Sequence, residues 1–489
     1  MITISISSKL TTRDFAREKE LQRMRIVNLH NRLVLPMLLL ALSRLSIAQD
    51  AGSGTLSLSA VVADAEKNYP SIQISQEDLN VSAANIALAR TAYLPRLDGV
   101  AQFNRGTRNN VFGSLLPQSI IPPMSGPVIG TNNSGSVWGS ATGLLINWQP
   151  FDFGTRSARV RAAVAAKDQA SAANQRTQLE VATASADAYL TVLAAMSTKR
   201  AASAAIGNWE ILRTSIHALV SSQLRPGADE SRIDAEKAAA VTELALADQA
   251  IANSEATLQR FLTGPIPPVL AEGKFLSEVP AVADMDAPLV LTNNPVMRER
   301  HAAVEQNASQ LRSIERSWTP QFNLEAAAYA RGTGAETNGQ RLSGAGGLAP
   351  NVGNYVAGVN VTFPFMEFAS IHAHEAAQAA TLRSAKASEL LTDKTLHEQF
   401  AQAQASLRTT RTIAQTTPVQ RDAAQTTLNQ ATARYKAGLV PIDDVAQAQR
   451  LLVQAQIDDA IARLNVWRSY LHLEFIRGDV QPFLQEANR

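Results

Sequence analysis

The sequence predicts a mainly α-helical fold with a membrane β-barrel portion, arranged as two tandem repeats of long helical hairpins plus a strand hairpin. Three observations carry that prediction. Thr155 to Leu224 is a run of 70 residues without proline, rich in Ala, Gln, Glu, Lys, Arg and Leu, which are strong helix formers. At ~1.5 Å per residue such a helix reaches on the order of 100 Å, a rod that no ordinary globular core needs. The motifs around this run return 225 residues later. Four stretches alternate apolar and polar residues with period two, which argues strand.

The 489-residue chain has no cysteine, which excludes a disulfide framework, a thiolate metal site and a cysteine nucleophile. Residues 1–48 read as a leader. Arg25 and Arg32 precede the apolar core Leu33 to Leu42, and Ser46-Ile47-Ala48 ends in the small-x-small pattern that signal peptidase accepts. The apolar core is too short to span a bilayer as a helix. Met24 fits as the true start, because residues 1–23 are long and mixed in charge for a leader. The leader holds 8 Lys/Arg against 3 Asp/Glu, so removing its net +5 takes the formal charge from +2 to −3. No basic patch remains to suggest nucleic acid.

Residues 49–264 form the first repeat, residues 291–478 the second, and residues 479–489 a C-terminal tail. The first repeat opens with helical character from Leu56 to Ala92, with Pro70 near the start of its main part. It closes on Tyr93-Leu94-Pro95. Asn294-Pro295 parallels Tyr69-Pro70, Trp318-Thr319-Pro320 parallels Tyr93-Leu94-Pro95, and the two prolines stand 25 positions apart in both copies. Between them Leu79 pairs with Val304, Ala83 with Ala308 and Ile86 with Leu311.

Each aromatic-x-Pro leads into a strand. Phe322, Leu324, Ala326, Ala328 and Ala330 share one face of Gln321 to Arg331, with Leu97 to Asn104 as a weaker counterpart. Loops at 105–135 and 332–353 lead to return strands. One carries Tyr355, Ala357, Val359, Val361 and Phe363 on a face; the other, Ser136 to Trp148, carries Trp138, Leu144, Ile146 and Trp148. Both end in a similar phrase, Trp148-Gln149-Pro150-Phe151-Asp152-Phe153-Gly154 and Phe363-Pro364-Phe365-Met366-Glu367-Phe368-Ala369, before the long helices to Leu224 and Tyr435. Pro418 predicts a kink or local break in the second. Turns with Gly227 and with Gly438-Leu439 follow, and glycine just past a helix end is the usual left-handed cap. Returning helices are expected over Asp229 to Leu262 and Pro441 to Ile476, with a proline-rich connector over residues 265–290. The entering and returning helices together match the long one in length, so two could stack end to end along one rod.

Membrane strands must close into a barrel, and known outer-membrane barrels have at least ~8 strands. Four strands therefore form either a small soluble sheet or part of a barrel shared by several chains. Asn109 to Phe151 holds no charge in 43 residues, which favours the membrane. Trp138 and Trp148 suit interface anchors or plain packing. His372 and His374 are two apart on a helix and do not share a face. No catalytic grouping, metal spacing or cofactor motif appears, so no enzyme chemistry and no cofactor are expected.

The order helix, aromatic-x-Pro, strand hairpin, Phe-Asp/Glu-Phe-Gly/Ala, long helix, glycine turn and returning helix, twice over, resembles the TolC-like outer-membrane efflux protein family. Tyr435-Lys436-Ala437-Gly438-Leu439-Val440-Pro441-Ile442-Asp443-Asp444-Val445 adds to the resemblance. It implies a homotrimer with a twelve-strand β-barrel in outer-membrane lipid and an α-barrel across the periplasm. It further implies an export channel of a tripartite efflux or type I secretion system, docked on a periplasmic adaptor and an inner-membrane pump. By the same resemblance Gly227, Gly438 and Leu439 mark adaptor-contact tips, Tyr435 closes the tip, and Asp444 lines a periplasmic aperture. Gln447 stands where the family carries a second acid. In the first copy Asp234 is an uncertain equivalent of Asp444. Asp444 also suits a plain first-turn acid favoured by the helix dipole. The competing reading is a soluble periplasmic scaffold or adaptor of helical hairpins.

Overall fold

A computed structural model describes residues 55–107, 135–267, 269–282, 287–336 and 340–489. The leader and its start at Met24 lie outside the described residues, as does most of the uncharged loop before the second strand. The chain divides into two units. In the smaller, Leu56 and Leu270 form a parallel bridge. Everything below concerns the larger, residues 57–266 and 271–489.

The entering segment is two helices, α1 (Leu58–Asn68) and α2 (Pro70–Thr91). Proline lacks the N–H that a continuing helix would need, so Pro70 starts α2 at its first position and Tyr69 stays extended. β1 (Arg96–Thr107) and β2 (Ser136–Phe151) follow, then α3 (Thr155–Ser221) and α4 (Gly227–Gln259). The second repeat gives α5 (Pro295–Glu315), β3 (Gln321–Thr333), β4 (Val352–Thr362), a 3-10 turn at Phe365–Glu367, α6 (Phe368–Lys436) and α7 (Ile442–Arg477). The tail folds as α8 (Gln481–Asn488), with Phe483 buried against Trp467 and Tyr470. α6 runs unbroken through Pro418, so the expected local break is absent. Packing holds the helix there: Thr417 Oγ1 and Arg421 Nη1 both donate to buried Asp459 of α7, at 3.0 and 2.7 Å.

The short helices stack as their lengths suggested. α2 meets the first half of α3, where Ser75 Oγ donates to Asn174 at 2.7 Å. α4 meets the second half, through Lys199–Asp248 and Arg213–Asp234. Where the end of α4 reaches the α1/α2 joint, Tyr69 and Phe261 stack at 5.1 Å and Asp64 accepts from Thr263 N–H at 2.7 Å. Burial pushes the Asp64 carboxyl up, but the Thr263 and Asn68 hydrogen bonds outweigh it and hold the group below the usual range. The second repeat has its own joint. Asn294 caps α5 with its side-chain oxygen and donates its amide N–H to the Ile476 carbonyl of α7 at 2.8 Å.

The connector lies across the helices of both repeats. Tyr189 Oη donates to Ala271 O, Arg463 Nη1 to Leu276 O, Trp467 Nε1 to Glu278 O and Arg411 Nη2 to Pro280 O. Phe275 sits between Tyr189 and Trp467, with ring centres 6.3 and 4.9 Å away.

The four strands form one antiparallel sheet in the order β1-β2-β3-β4. Its register aligns Leu97 with Ile146, Trp148 with Leu324, Ala326 with Ala357 and Leu324 with Val359. Because side chains alternate across a strand, one face is a continuous apolar band of Leu97, Leu144, Ile146, Trp148, Leu324, Val359 and Val361, all exposed. The other face carries Asp98, Gln102, Asn147, Glu325 and Asn360, with Asn147 paired to Glu325. Trp148 stands at the base of the band and donates its indole N–H to the Tyr93 carbonyl at 3.0 Å. Trp138 stacks beneath Arg105.

The Phe151-Asp152-Phe153-Gly154 phrase makes the strand-to-helix corner. Phe153 and Gly154 turn left-handed, with φ of 50° and 91°. Asp152 accepts from the Arg156 N–H and guanidinium, and Arg156 donates on to the carbonyls of Ala92 and Pro150. Burial raises the Asp152 carboxyl; the bonds from Arg156 and Gly154 win and depress it. The second copy has no such device: a 3-10 turn leads into α6, and Glu367 makes no side-chain cap.

Candidate functional site at the hairpin ends

The ends of the two long hairpins carry the tip and aperture residues expected from the sequence, Gly227, Tyr435, Gly438, Leu439, Asp444 and Gln447. α3 stops with Gln223 N–H on the Val220 carbonyl and Leu224 N–H on Leu219, both at 2.9 Å. α6 stops with Gly438 N–H on Tyr435 and Leu439 N–H on Arg434, at 2.9 and 3.0 Å. Both are the paired-bond termination that needs one left-handed residue. In the second hairpin that residue is Gly438, φ 78°. In the first it is Gln223, φ 60°. The expectation that Gly227 caps the first long helix is therefore corrected: Gly227 is the first residue of α4, behind the extended N-cap Pro226. Proline at 226 has no N–H to continue α3 and disfavours helical backbone at Arg225, which favours a turn before it.

This geometry also settles the equivalence of the acids. Leu224-Arg225-Pro226 matches Leu439-Val440-Pro441, and Asp229 and Asp444 each stand six positions beyond the left-handed residue. Asp229, not Asp234, is the counterpart of Asp444. The Leu-x-Pro repeat was the signal for it. Asp234 instead pairs with Arg213 at 2.6 Å.

The two acids have opposite surroundings. Tyr435 is 1% exposed in a cluster with Trp209, Ile216, Ile233, Ile442 and Val445. Its hydroxyl donates to Asp229 Oδ2 at 2.7 Å. Arg225 lies over its ring at 4.6 Å and donates to its carbonyl at 2.6 Å. Burial pushes the Tyr435 phenol up to about 12, with the Asp229 hydrogen bond and charge adding to it and Arg225 opposing. A second tie joins the hairpins, Arg232 Nε to Asp443 at 3.2 Å, and the same guanidinium reaches Glu236 at 3.1 Å. Asp444 is exposed and, among the described residues, forms no ion pair. It borders a groove of about 350 Å³ with Gln447, Arg434 and Gln430. Leu224 and Leu439 crown the two ends, 71% and 70% exposed. Among the described residues no three metal-ligating side chains gather.

The arrangement ties the two hairpins together and leaves Asp444, among the described residues, outside any ion pair. The chain matches the family described as outer membrane efflux protein over residues 61–264 and 287–479. Among solved structures it is similar to the CmeC outer membrane channel of Campylobacter jejuni, at 15% identity over 88% of this chain and 89% of that one, TM-score 0.69. The outer membrane protein VceC of Vibrio cholerae is similar at 18% identity over 86% and 96%, TM-score 0.68. The MtrE outer membrane channel of Neisseria gonorrhoeae, solved in an open state, is similar at 18% identity over 86% and 89%, TM-score 0.67. No curated protein matches by sequence.

Proposed function

The chain belongs to the outer membrane efflux protein family, and from that premise we propose how its geometry conducts. It is an outer-membrane efflux channel that extends into the periplasm, and not an enzyme. Channels of this family form trimers and act with an adaptor and an inner-membrane pump. Three copies of this chain share a twelve-strand barrel, and their α3, α4, α6 and α7 line a tunnel on the order of 100 Å long. The observation that carries this reading is the four-stranded sheet with a continuous apolar band and two open edges. A soluble scaffold would leave that band in water and both edges unpaired.

The hairpin ends close the periplasmic side. Tyr435–Asp229 and Arg232–Asp443 tie the two hairpins of one chain, so opening has to separate them. Asp444 of each copy faces the aperture with Gln447 behind it, a single acidic ring that favours cations. Leu224 and Leu439, with Gly227 and Gly438 beside them, are the contact points for the periplasmic adaptor. Exposed leucines fit a partner that buries them.

Single-channel conductance of the purified protein in a planar bilayer, with its mass in detergent, tests the reading. A trimer with discrete, low, cation-preferring conductance is expected. A detergent-free monomer without conductance would return the scaffold. Asp444→Ala should weaken cation preference and block by divalent cations; unchanged selectivity would remove Asp444 from the aperture.

A further inference from the structure

Gln449 is an outlier among the side chains of α7. It is 3% exposed, yet its Nε2 has no hydrogen-bond partner. Buried amides almost always find a partner, because leaving the bond unmade costs stability. Gln449 lines a crevice of about 330 Å³ between α3, α4 and α7. This volume lies at the lower end of small-molecule sites, about 300–1,000 Å³.

The walls have a definite chemistry. Trp209 and Ala240, both buried, and Val453 make an apolar slot. Glu236 also lines it, but its carboxylate is already taken by Arg232 and Arg450, at 3.1 and 3.7 Å. Glu243 lines the crevice, is exposed, and among the described residues has no ion pair. Arg450 lines the crevice too, turned onto Glu236, so the slot offers one flat aromatic wall, one orphan donor and one carboxylate, Glu243, outside an ion pair. Gln449 also borders a second crevice of about 500 Å³ between α3, α6 and α7. That one includes Ile211, 71% exposed, and Lys436, and its lining holds no carboxylate to face a cation.

We propose that the α3/α4/α7 crevice binds a small amphipathic organic cation bearing a hydrogen-bond acceptor. Gln449 Nε2 donates to the acceptor, the apolar body lies on Trp209, and Glu243 faces the positive group. The walls come from both hairpins, so the occupant touches each of them. The crevice is lined by other residues than the groove beside Asp444, and its occupancy does not depend on conduction.

Tetracaine, an aromatic ester with an ammonium group, is a suitable probe for the purified full-length protein in detergent. Saturable quenching of tryptophan emission is expected, lost in Trp209→Phe. Gln449→Leu should weaken binding about tenfold, the loss of roughly one hydrogen bond. Glu243→Gln, at an exposed position that tolerates change, should weaken it several-fold and remove its salt dependence. Quenching that never saturates and persists in Trp209→Phe is micelle partitioning and overturns the site. So does Gln449→Leu binding as tightly as the parent, which would mean that water satisfies the amide. Should Gln449→Leu not fold, unchanged affinity and salt dependence in Glu243→Gln overturns the cation assignment alone.

Discussion

The turn after α3 and the turn after α6 close with the same two hydrogen bonds, yet Gln223 holds the left-handed position in one and Gly438 in the other. Six residues on, both carry an aspartate. Asp229 is gripped by Tyr435, and Asp444 stands in the open. Equal backbones with unequal partners show that the repeat preserves a shape while the two ends divide the work. The first end anchors its neighbour, and the second presents charge.

Removing each acid tests that division most directly. Asp229→Ala leaves the buried Tyr435 hydroxyl without its acceptor and should cost about 2 kcal/mol locally. The readout is faster amide hydrogen exchange around residues 433–442. Asp444→Ala should cost within about 0.5 kcal/mol, as for an exposed residue without partners. Equal effects would erase the distinction.

Exchanging the left-handed residues sharpens the comparison at smaller scale. Gly438→Gln has room, since an added Cβ meets only Arg225 Nη2 at 3.5 Å. Its cost is then the backbone alone, about 1 kcal/mol. Gln223→Gly should gain a similar or smaller amount, and Gly227→Ala, at a helix start, should be nearly neutral. Hydrogen exchange at the two ends separates these cases; a loss in Gly227→Ala like that in Gly438→Gln would restore Gly227 as the cap.

The smallest effect is that of pH. The Tyr435 phenol is raised from 10.0 to about 12 in the folded chain. Its contribution is therefore fully present below pH 10 and lost as pH rises through about 12. The anchored end should not loosen between pH 6 and 9. Ultraviolet titration of the parent against Tyr435→Phe measures the shift; a tyrosine titrating near 10 in the difference would contradict the buried hydrogen bond.

Much of the fold was legible because it rests on periodicity. The alternation in Gln321–Arg331 and Tyr355–Phe363 placed the apolar faces, and the register then laid those faces side by side. The paired prolines at 70 and 295 each start a helix. What stayed hidden depends on partners far away in sequence. Pro418 reads as a breaker, but Asp459 of another helix steadies the turn around it. Gln223 has no local mark of a left-handed residue; the proline three positions later favours a turn without saying which residue takes it. The Tyr435–Asp229 bond spans 206 residues. No spacing within either repeat predicts it.

The open edges of the sheet bear on how the protein reaches its membrane. Among the described residues, β1 and β4 each have a neighbour on one side only, and lipid tolerates no unpaired backbone. A lone protomer therefore has no stable inserted state. Insertion has to be of higher than first order in protomer, so halving the supply of newly exported chain should slow it more than twofold. Until partners meet, each chain carries two open strand borders that can pair with any other exposed strand.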